Sequence, residues 1–383
     1  MLKYAMGGIT NTHDIVQRSS TMFVRSLLRI SLLVCLAAVL LNGAVAQETL
    51  TVLCTPQEDW CVAQTQAFQE ATGIQTSYVR LSSGEALARI RASAENPEFS
   101  VWWGGPADAF IAANEEGLLE DYDSEAAEAI PDTYKDLDAN WVGVYVGALG
   151  FCSNVDVLEE LGVEAPTSWE DLLAPELKGF VAMAHPATSG TAFTAFWTIV
   201  TLEADKLEAE EEGTGYDEEG SPTEAAVDNA FEYYAALHQN ILQYTRSGSA
   251  PGSLAGQGEI AVAIIFSHDC VKLQQEGYEG ILTTTFPEEG TGYEIGGMGI
   301  IKGAPELEAA KVWFDWALSK EAQEIGPTVN SLQLPTNPDA EVSPLAVKLG
   351  DILVVDYNFQ AAGAHRIEIT ERFDAEIAPA PTE

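Results

Sequence analysis

The sequence predicts an α/β fold in two lobes, and three observations predict it. A length of 383 residues with 46% hydrophobic content can form two buried cores. Apolar runs of strand character alternate with amphipathic helical patterns, which favours mainly parallel sheets with both faces covered. The alternation stops near the middle of the chain and then restarts. We therefore expect two α/β units with a hinge between them.

The first 46 residues have the pattern of a secretory signal peptide. Arg25 and Arg29 precede an apolar run at 30–41, and the letters AVA at 44–46 form a small-residue cleavage site. Met22 is the start that we expect. No later segment reaches eighteen apolar residues, so the cleaved protein is predicted to be soluble in the periplasm.

The charge of the chain is strongly negative. Beyond residue 46 it contains 14 basic and 58 acidic residues, a net charge of −44. This charge excludes nucleic acid as an expected partner, because nucleic-acid binding rests on cationic contacts to phosphates. The densest acidic stretch, 202–229, is interpreted as a solvated insertion.

Four cysteines follow the signal peptide, and export places them in an oxidising compartment. They permit three pairings. We favour Cys54 with Cys61, which flank a short loop, and Cys152 with Cys270.

The first lobe is predicted from three successive strands, each of which leads towards a helix. Residues 49–53, 74–80 and 99–103 read as strands. A helix begins at Trp60, and a capping box at 82–85 opens the next helix. Pro106 is suited to the start of the third helix.

The second lobe repeats the plan. Residues 141–152 form a long apolar strand, and further strands are predicted at 179–184 and 261–266. A helix opens at Ser189. The chain then returns as a strand at 296–301 and a helix at 307–318.

Three local sequences resemble the family-1 extracellular solute-binding proteins of ABC importers. They are PTSWEDL at 166–172, YEIGGM at 293–298 and WALSKEAQ at 316–323. The order of elements agrees with that family over about residues 48–340. The resemblance implies a periplasmic-binding-protein-like fold, in which two α/β lobes close on a ligand held in the cleft between them.

The resemblance also implies the arrangement of the lobes and the partners. The first lobe is expected to comprise 47–148 plus 295–340, and the second 149–294 plus 341–383. Crossing strands are expected near 143–153 and 290–298. The implied partners are a small solute and a permease in the inner membrane, and the implied state is a monomer that is not an enzyme and holds no cofactor or metal.

Two branches of the family are the nearest, the ferric-ion binders and the hexose-phosphate binders. Ferric binders place two adjacent tyrosines after the strand that corresponds to 261–266, because Fe(III) favours phenolate oxygen. Here that position reads SHDC at 267–270, whereas the pair Tyr233 and Tyr234 lies in a helical pattern. His268 and Asp269, with Glu294, resemble the polar pocket of the hexose-phosphate branch.

The residue chemistry supports the same pocket. Carboxylates and an imidazole can bind adjacent sugar hydroxyls, and the N–H groups at helix starts can bind an anion without a net positive charge. Parallel strands bring such groups together at their carboxyl ends. The candidate ligand-binding residues are Thr55, Gln57, Arg80, Ser83, Gly84, Ser189, Gly190, Thr191, His268, Asp269 and Glu294.

Several alternatives stay open at this point. Trp60, Trp102 or Trp103 could stack on a ligand ring. A polyamine or ferric ion could replace the organic anion as cargo. A cysteine-dependent enzyme on the same bilobal fold would need a reduced Cys270. Adjacent residues of an extended segment point to opposite faces, however, which argues against a catalytic group formed by residues 268–270.

Overall fold

A computed structural model of the chain describes residues 48–382. The predicted signal peptide lies outside the described residues. None of the helices within 48–382 has the length and apolarity that crossing a membrane requires.

Eleven strands within the described residues form one continuous sheet. The strands are β1 (Thr49–Cys54), β2 (Gln75–Arg80), β3 (Val101–Pro106), β4 (Leu119–Glu120), β5 (Val142–Asn154), β6 (Val181–Ala184), β7 (Ile241–Thr245), β8 (Val262–Phe266), β9 (Leu282–Thr285), β10 (Tyr293–Ile301) and β11 (Leu334–Pro335). In spatial order, the main path runs β2, β1, β3, β10, β5, β8, β6 and β7, while β4, β9 and β11 pair at its sides.

Helices cover the sheet and alternate with the strands along the chain. They are α1 (Glu58–Thr72), α2 (Ser83–Ala92), α3 (Ala107–Glu115), α4 (Val155–Leu161), α5 (Gly190–Glu210), α6 (Glu224–Leu237), α7 (Ala250–Gly256), α8 (Ser267–Leu273), α9 (Leu307–Ala317), α10 (Lys320–Gln323) and α11 (Phe359–Glu376). The predicted capping box is confirmed: the Ser82 backbone N–H donates to the Glu85 carboxylate, at 3.2 Å, at the start of α2.

The two lobes share the long strand β5. All thirteen of its residues are buried. Its first half pairs antiparallel with β10, and its second half, from Leu149 onwards, pairs with β8 and β9. Strands β1, β2 and β3 are parallel on one side, and β8, β6 and β7 are parallel on the other. The predicted two-lobed α/β fold is confirmed, and β5 and β10 are its crossing strands.

The C-terminal helix α11 contacts elements of both lobes. Phe373 is fully buried in the second core, where its ring packs against Phe196 and Tyr234. On the other side, Arg366 forms a buried ion pair with Asp108 of α3. Helix α11 therefore joins the lobes in addition to the crossing strands. The lobe boundaries given above stay a prediction.

Two disulfides form with the pairing that the sequence favoured. Cys54 at the end of β1 is bonded to Cys61 in α1. Cys152 in β5 is bonded to Cys270 in α8. The acidic stretch 202–229 begins inside α5 and ends inside α6, so only its middle part lies outside helices.

Candidate ligand-binding site

A polar cleft lies where strands of both lobes end. Residues after β1, β2 and β3 meet residues after β6, β7 and β8, as expected for the carboxyl ends of parallel strands. The cleft contains about 440 Å³ that no protein atom occupies, including open space at its mouth. It is lined by Thr55, Pro56, Gln57, Arg80, Ser82, Ser83, Gly105, Pro106, Tyr145, Ser189, Thr191, Ser247, Gly248, Ser249, Phe266, His268, Asp269, Glu294 and Gln333.

Nine of the eleven predicted residues line this cleft, and Gly84 and Gly190 do not. The Gly84 N–H donates to the Thr188 carbonyl, 3.0 Å away. The expectation that this amide binds an anion is therefore wrong, because it connects the two lobes. At Gly190, an added Cβ would lie 2.5 Å from Pro106, so glycine is needed there for close packing.

One part of the cleft is rich in hydroxyl groups, and we name it the hydroxyl cluster. It consists of Thr55, Ser83, Ser189, Thr191, Ser247 and Ser249. Two glycines allow these groups to approach each other. An added Cβ at Gly105 would lie 2.5 Å from Ser83 Oγ, and one at Gly248 would lie 2.1 Å from Thr191 Oγ1. Hydroxyl groups can donate to a ligand without adding charge.

Arg80 is the cation of the hydroxyl cluster. Its Nε donates to the Pro56 carbonyl, at 3.0 Å, and its Nη2 donates to Ser247 Oγ, at 3.4 Å. Eleven of the fourteen lysines and arginines in residues 48–382 form ion pairs with carboxylates. The other three are Arg80, Lys178 and Lys348, and of these only Arg80 lines the cleft. Its positive charge is thus available to an anion.

The opposite part of the cleft is acidic, and we name His268, Asp269 and Glu294 the carboxylate cluster. His268 Nε2 lies 3.9 Å from Asp269 Oδ2 and 4.0 Å from Glu294 Oε1. Asp269 Oδ1 accepts a 2.5 Å hydrogen bond from Gln57 of the other lobe. The bare backbone of Gly147 makes room for the imidazole, because an added Cβ would lie 2.7 Å from His268 Nδ1.

Burial shifts the pKa values of two groups in this cluster. Desolvation, reinforced by the nearby Asp269 and Asp108, raises the pKa of Glu294 well above its ordinary value. Desolvation also lowers the pKa of His268, although Asp269 opposes the shift. Both groups are displaced towards their neutral forms, which can donate as well as accept hydrogen bonds.

His268 and Asp269 reach the cleft from a helix. The prediction of an extended segment at 267–270 is wrong, because these residues form the first turn of α8. An acidic residue such as Asp269 is favourable in a first helical turn. From this helical turn, the side chains of His268 and Asp269 both line the cleft.

Three buried polar atoms of the cleft lack a hydrogen-bond partner among the described residues. They are Thr55 Oγ1, His268 Nδ1 and Gln333 Oε1, on side chains that are 8%, 5% and 6% exposed. Leaving such an atom unpaired is unfavourable by about 1–3 kcal/mol. All three residues line the cleft, so a bound polar ligand is positioned to satisfy them.

Several lining residues were not predicted from the sequence, among them the buried Tyr145. The Tyr145 hydroxyl accepts a 2.9 Å hydrogen bond from the Gly105 N–H. Its ring lies against Gly296, where an added Cβ would be 2.2 Å away. The glycine pairs on β3 and β10 were the signal of this close approach. The Ser247, Gly248 and Ser249 segment carried no such signal.

The family of the chain follows from comparison with known proteins. Residues 63–349 match the family model for the bacterial extracellular solute-binding protein. The chain belongs to this family. It is the solute-binding component of an ABC importer, as the sequence resemblance implied.

Relatives of this solute-binding protein include one solved structure and one named sequence. The structure is the periplasmic binding protein AfuA from Actinobacillus pleuropneumoniae with exogenous fructose-6-phosphate bound. It is 37% identical, covers 87% of this chain and 99% of its own, and superposes with a TM-score of 0.78. A Salmonella typhimurium (strain LT2) protein, provisionally named as a 2-aminoethylphosphonate-binding periplasmic protein, is 30% identical over 69% of this chain and 70% of its own.

A ferric binding protein from Campylobacter jejuni has the same fold. It is 19% identical, with a TM-score of 0.65, over 85% of this chain and 98% of its own. At this identity the likeness concerns the fold alone. Tyr233 and Tyr234 lie in α6 as predicted, with Tyr234 fully buried, and neither lines the cleft of the solute-binding protein.

Two of the alternatives meet structural obstacles. Trp60, Trp102 and Trp103 are at most 3% exposed and lie in the cores, so the structure does not support the alternative that one of them stacks on a ligand. Cys270 Sγ is bonded to Cys152 and cannot act as a thiolate nucleophile in this form. Within residues 48–382, no three His, Cys, Asp or Glu side chains are grouped as a metal site.

Proposed function

We propose that this solute-binding protein captures a small phosphorylated solute of the hexose-phosphate class in the periplasm. It closes its lobes on that solute and delivers it to an inner-membrane permease as a monomer. Related organophosphates and phosphonates belong to the same cargo class. The observation that carries the proposal is the division of one cleft into a hydroxyl cluster with an unpaired arginine and a carboxylate cluster.

The hydroxyl cluster suits the phosphate group. Ser83 and Ser189 lie at the starts of α2 and α5, where the helix dipoles favour an anion. Hydroxyls from both lobes surround this position, and Arg80 supplies a guanidinium that can bind phosphate oxygens in pairs. Closing the lobes around the phosphate brings these donors together.

The carboxylate cluster suits the polyol part. Adjacent sugar hydroxyls both donate and accept hydrogen bonds, and the carboxylate cluster of His268, Asp269 and Glu294 contains both donors and acceptors. The raised pKa of Glu294 favours a hydroxyl partner, because an ammonium group would require the ionised carboxylate. For this reason a hexose phosphate is preferred to 2-aminoethylphosphonate, which is the second candidate on account of the acidic side chains and the Salmonella relative.

The relatives support the same cargo class. The AfuA structure contains fructose-6-phosphate, and the Salmonella relative is named for a phosphonate. Both ligands carry a tetrahedral phosphorus group beside a polar organic part. The location and the permease partner also follow the relatives, which are periplasmic binding proteins.

A thermal-shift panel on the exported, purified protein tests the proposal. The ligands are fructose 6-phosphate, 2-aminoethylphosphonate, Fe(III) citrate and spermidine. A ligand at a hundredfold excess over its Kd stabilises the folded protein by about 2.7 kcal/mol, so a true ligand raises Tm by several degrees. We expect the largest increase with fructose 6-phosphate. An increase confined to Fe(III) citrate or spermidine would overturn the proposal.

A further inference from the structure

His185 links the C-terminal segment to the cleft, although it does not line the cleft. It follows β6 directly, and it is fully buried. Its Nε2 lies 2.8 Å from the Ala378 carbonyl and 3.3 Å from Asp374 Oδ1. Asp374 lies in the last turn of α11, and Ala378 follows the end of that helix. Its Nδ1 accepts a 3.2 Å hydrogen bond from the Ala187 N–H.

The same residue shapes the segment 186–189 that enters the cleft. The His185 carbonyl accepts hydrogen bonds from the N–H groups of Thr188, at 3.1 Å, and Ser189, at 2.9 Å. Ser189 belongs to the hydroxyl cluster. The Thr188 carbonyl in turn accepts from Ser82 Oγ, at 2.6 Å, on the other lobe. The position of this segment therefore affects both the anion-binding groups and the contact between lobes.

These hydrogen bonds define which tautomer the neutral His185 ring adopts. Because Nδ1 accepts from Ala187, the proton of the neutral imidazole is on Nε2, where it donates to Ala378. A second proton would sit on Nδ1 and face the Ala187 N–H. Two donors cannot form that hydrogen bond, so the segment would have to move.

We propose that His185 is a positioning residue that holds segment 186–189 for ligand binding and makes the affinity sensitive to acid. The inference rests on the proposed function, because it concerns the anion-binding part of the same cleft. His185 acts through Ala187 and Ser189 and does not touch the ligand.

The surroundings of the ring set the direction of the pH effect. Asp374 faces it from α11, and Tyr244 faces it from β7, with ring centroids 5.9 Å apart. Phe373 packs edge-on at 5.0 Å. Burial lowers the pKa of His185, while the Ala378 hydrogen bond and Asp374 oppose the shift. The ring therefore gains its second proton below its ordinary range near 6.5, and affinity falls as the pH drops.

The test compares wild type with His185→Gln, and uses fructose 6-phosphate as the probe. Glutamine can accept from Ala187 and donate to Ala378 without titrating, so its affinity at pH 7.5 is expected to stay near that of wild type. Between pH 7.5 and pH 5.0, wild-type affinity is expected to fall about three- to tenfold more than that of the variant. Protonation of the probe phosphate affects both proteins alike. His365→Gln, on α11 but away from the segment, is the matched control and should behave as wild type.

Equal pH dependence in wild type and His185→Gln would overturn the proposal. Hydrogen–deuterium exchange of residues 186–191 without ligand provides a second measurement, with His185→Phe as the variant that removes both polar links. Faster exchange in His185→Phe supports the positioning role, and unchanged exchange overturns it. If wild type binds no fructose 6-phosphate, the proposed function fails, and the exchange experiment still decides the role of His185.

Discussion

Arg80 and Lys178 show how position changes the role of a charge. Neither forms an ion pair with a carboxylate within 4.0 Å among residues 48–382. Lys178 is exposed and precedes strand β6 of the second lobe, whereas Arg80 lies in the cleft beside Ser247. A guanidinium that is held by neutral partners keeps its charge for a ligand.

Replacing Arg80 with methionine is expected to weaken binding of fructose 6-phosphate. Loss of a hydrogen bond to a charged group removes about 1.5–3 kcal/mol, which is about 10- to 150-fold in Kd. Isothermal titration calorimetry measures the change. Lys178→Met changes the net charge equally and should leave Kd unaltered. If the two variants weakened binding to the same extent, net charge and not Arg80 would be responsible.

At the level of residues, the sequence located most of the cleft. Thr55, Ser83, Ser189 and Asp269 follow recognisable apolar strands, so their convergence at strand ends could be predicted. The glycine pairs on β3 and β10 indicated a close approach, but they did not identify Tyr145 as the partner, because it is one apolar-looking residue inside a fully buried strand. Whether the Gly84 amide is free could not be predicted either, because this depends on the Thr188 carbonyl of the other lobe.

Strands β5 and β10 carry the cleft chemistry at the level of elements. Tyr145 lies on β5 and Glu294 lies on β10, paired opposite Gly147. The family resemblance implied that both are crossing strands. The seven-residue helix α8 was not predictable from periodicity, since a segment of that length contains only two turns.

Glu294 on β10 makes the stability of the unliganded protein depend on pH. Its pKa is raised above the ordinary value of 4.5, so between 4.5 and the folded-state pKa the folded protein keeps a proton that the unfolded chain has lost. The free energy of unfolding therefore falls as pH rises through that window, and the deficit persists above it. Below pH 4.5 the Glu294 carboxyl is protonated in both the folded and the unfolded protein, so this destabilisation is absent.

Glu294→Gln is expected to remove this pH-dependent fall in the free energy of unfolding. The variant should gain stability relative to wild type as the pH increases from 4.5, and it should keep that gain at neutral pH. Urea unfolding at a series of pH values gives the difference. Glu288→Gln, an exposed carboxyl before the same strand, is the control. A difference between Glu294→Gln and wild type that does not vary with pH would contradict the argument.

The whole molecule combines a strongly acidic surface with the anionic cargo that we propose. A net charge of −44 after residue 46 repels a phosphate at long range, although salt screens charges beyond about 8 Å at physiological ionic strength. Inside the cleft, hydroxyls, helix starts and Arg80 face the ligand. Local donors therefore determine binding, and the surface charge favours solubility.

Three connections join the lobes. Strands β5 and β10 cross between them, and α11 packs on both cores through Phe373 and the buried pair of Arg366 and Asp108. The crossing strands were implied by the family resemblance. The bridging role of α11 did not, because it depends on which distant helix Arg366 meets.

The most direct test of the central claim is calorimetric titration of the exported protein with fructose 6-phosphate and with fructose. The cleft predicts one site per chain for the phosphate ester, with a micromolar or tighter Kd, and binding of fructose weaker by about a hundredfold or more, since the phosphate contacts are charge-assisted. Equal affinity for fructose, or no heat with fructose 6-phosphate while Fe(III) citrate binds, would contradict the account.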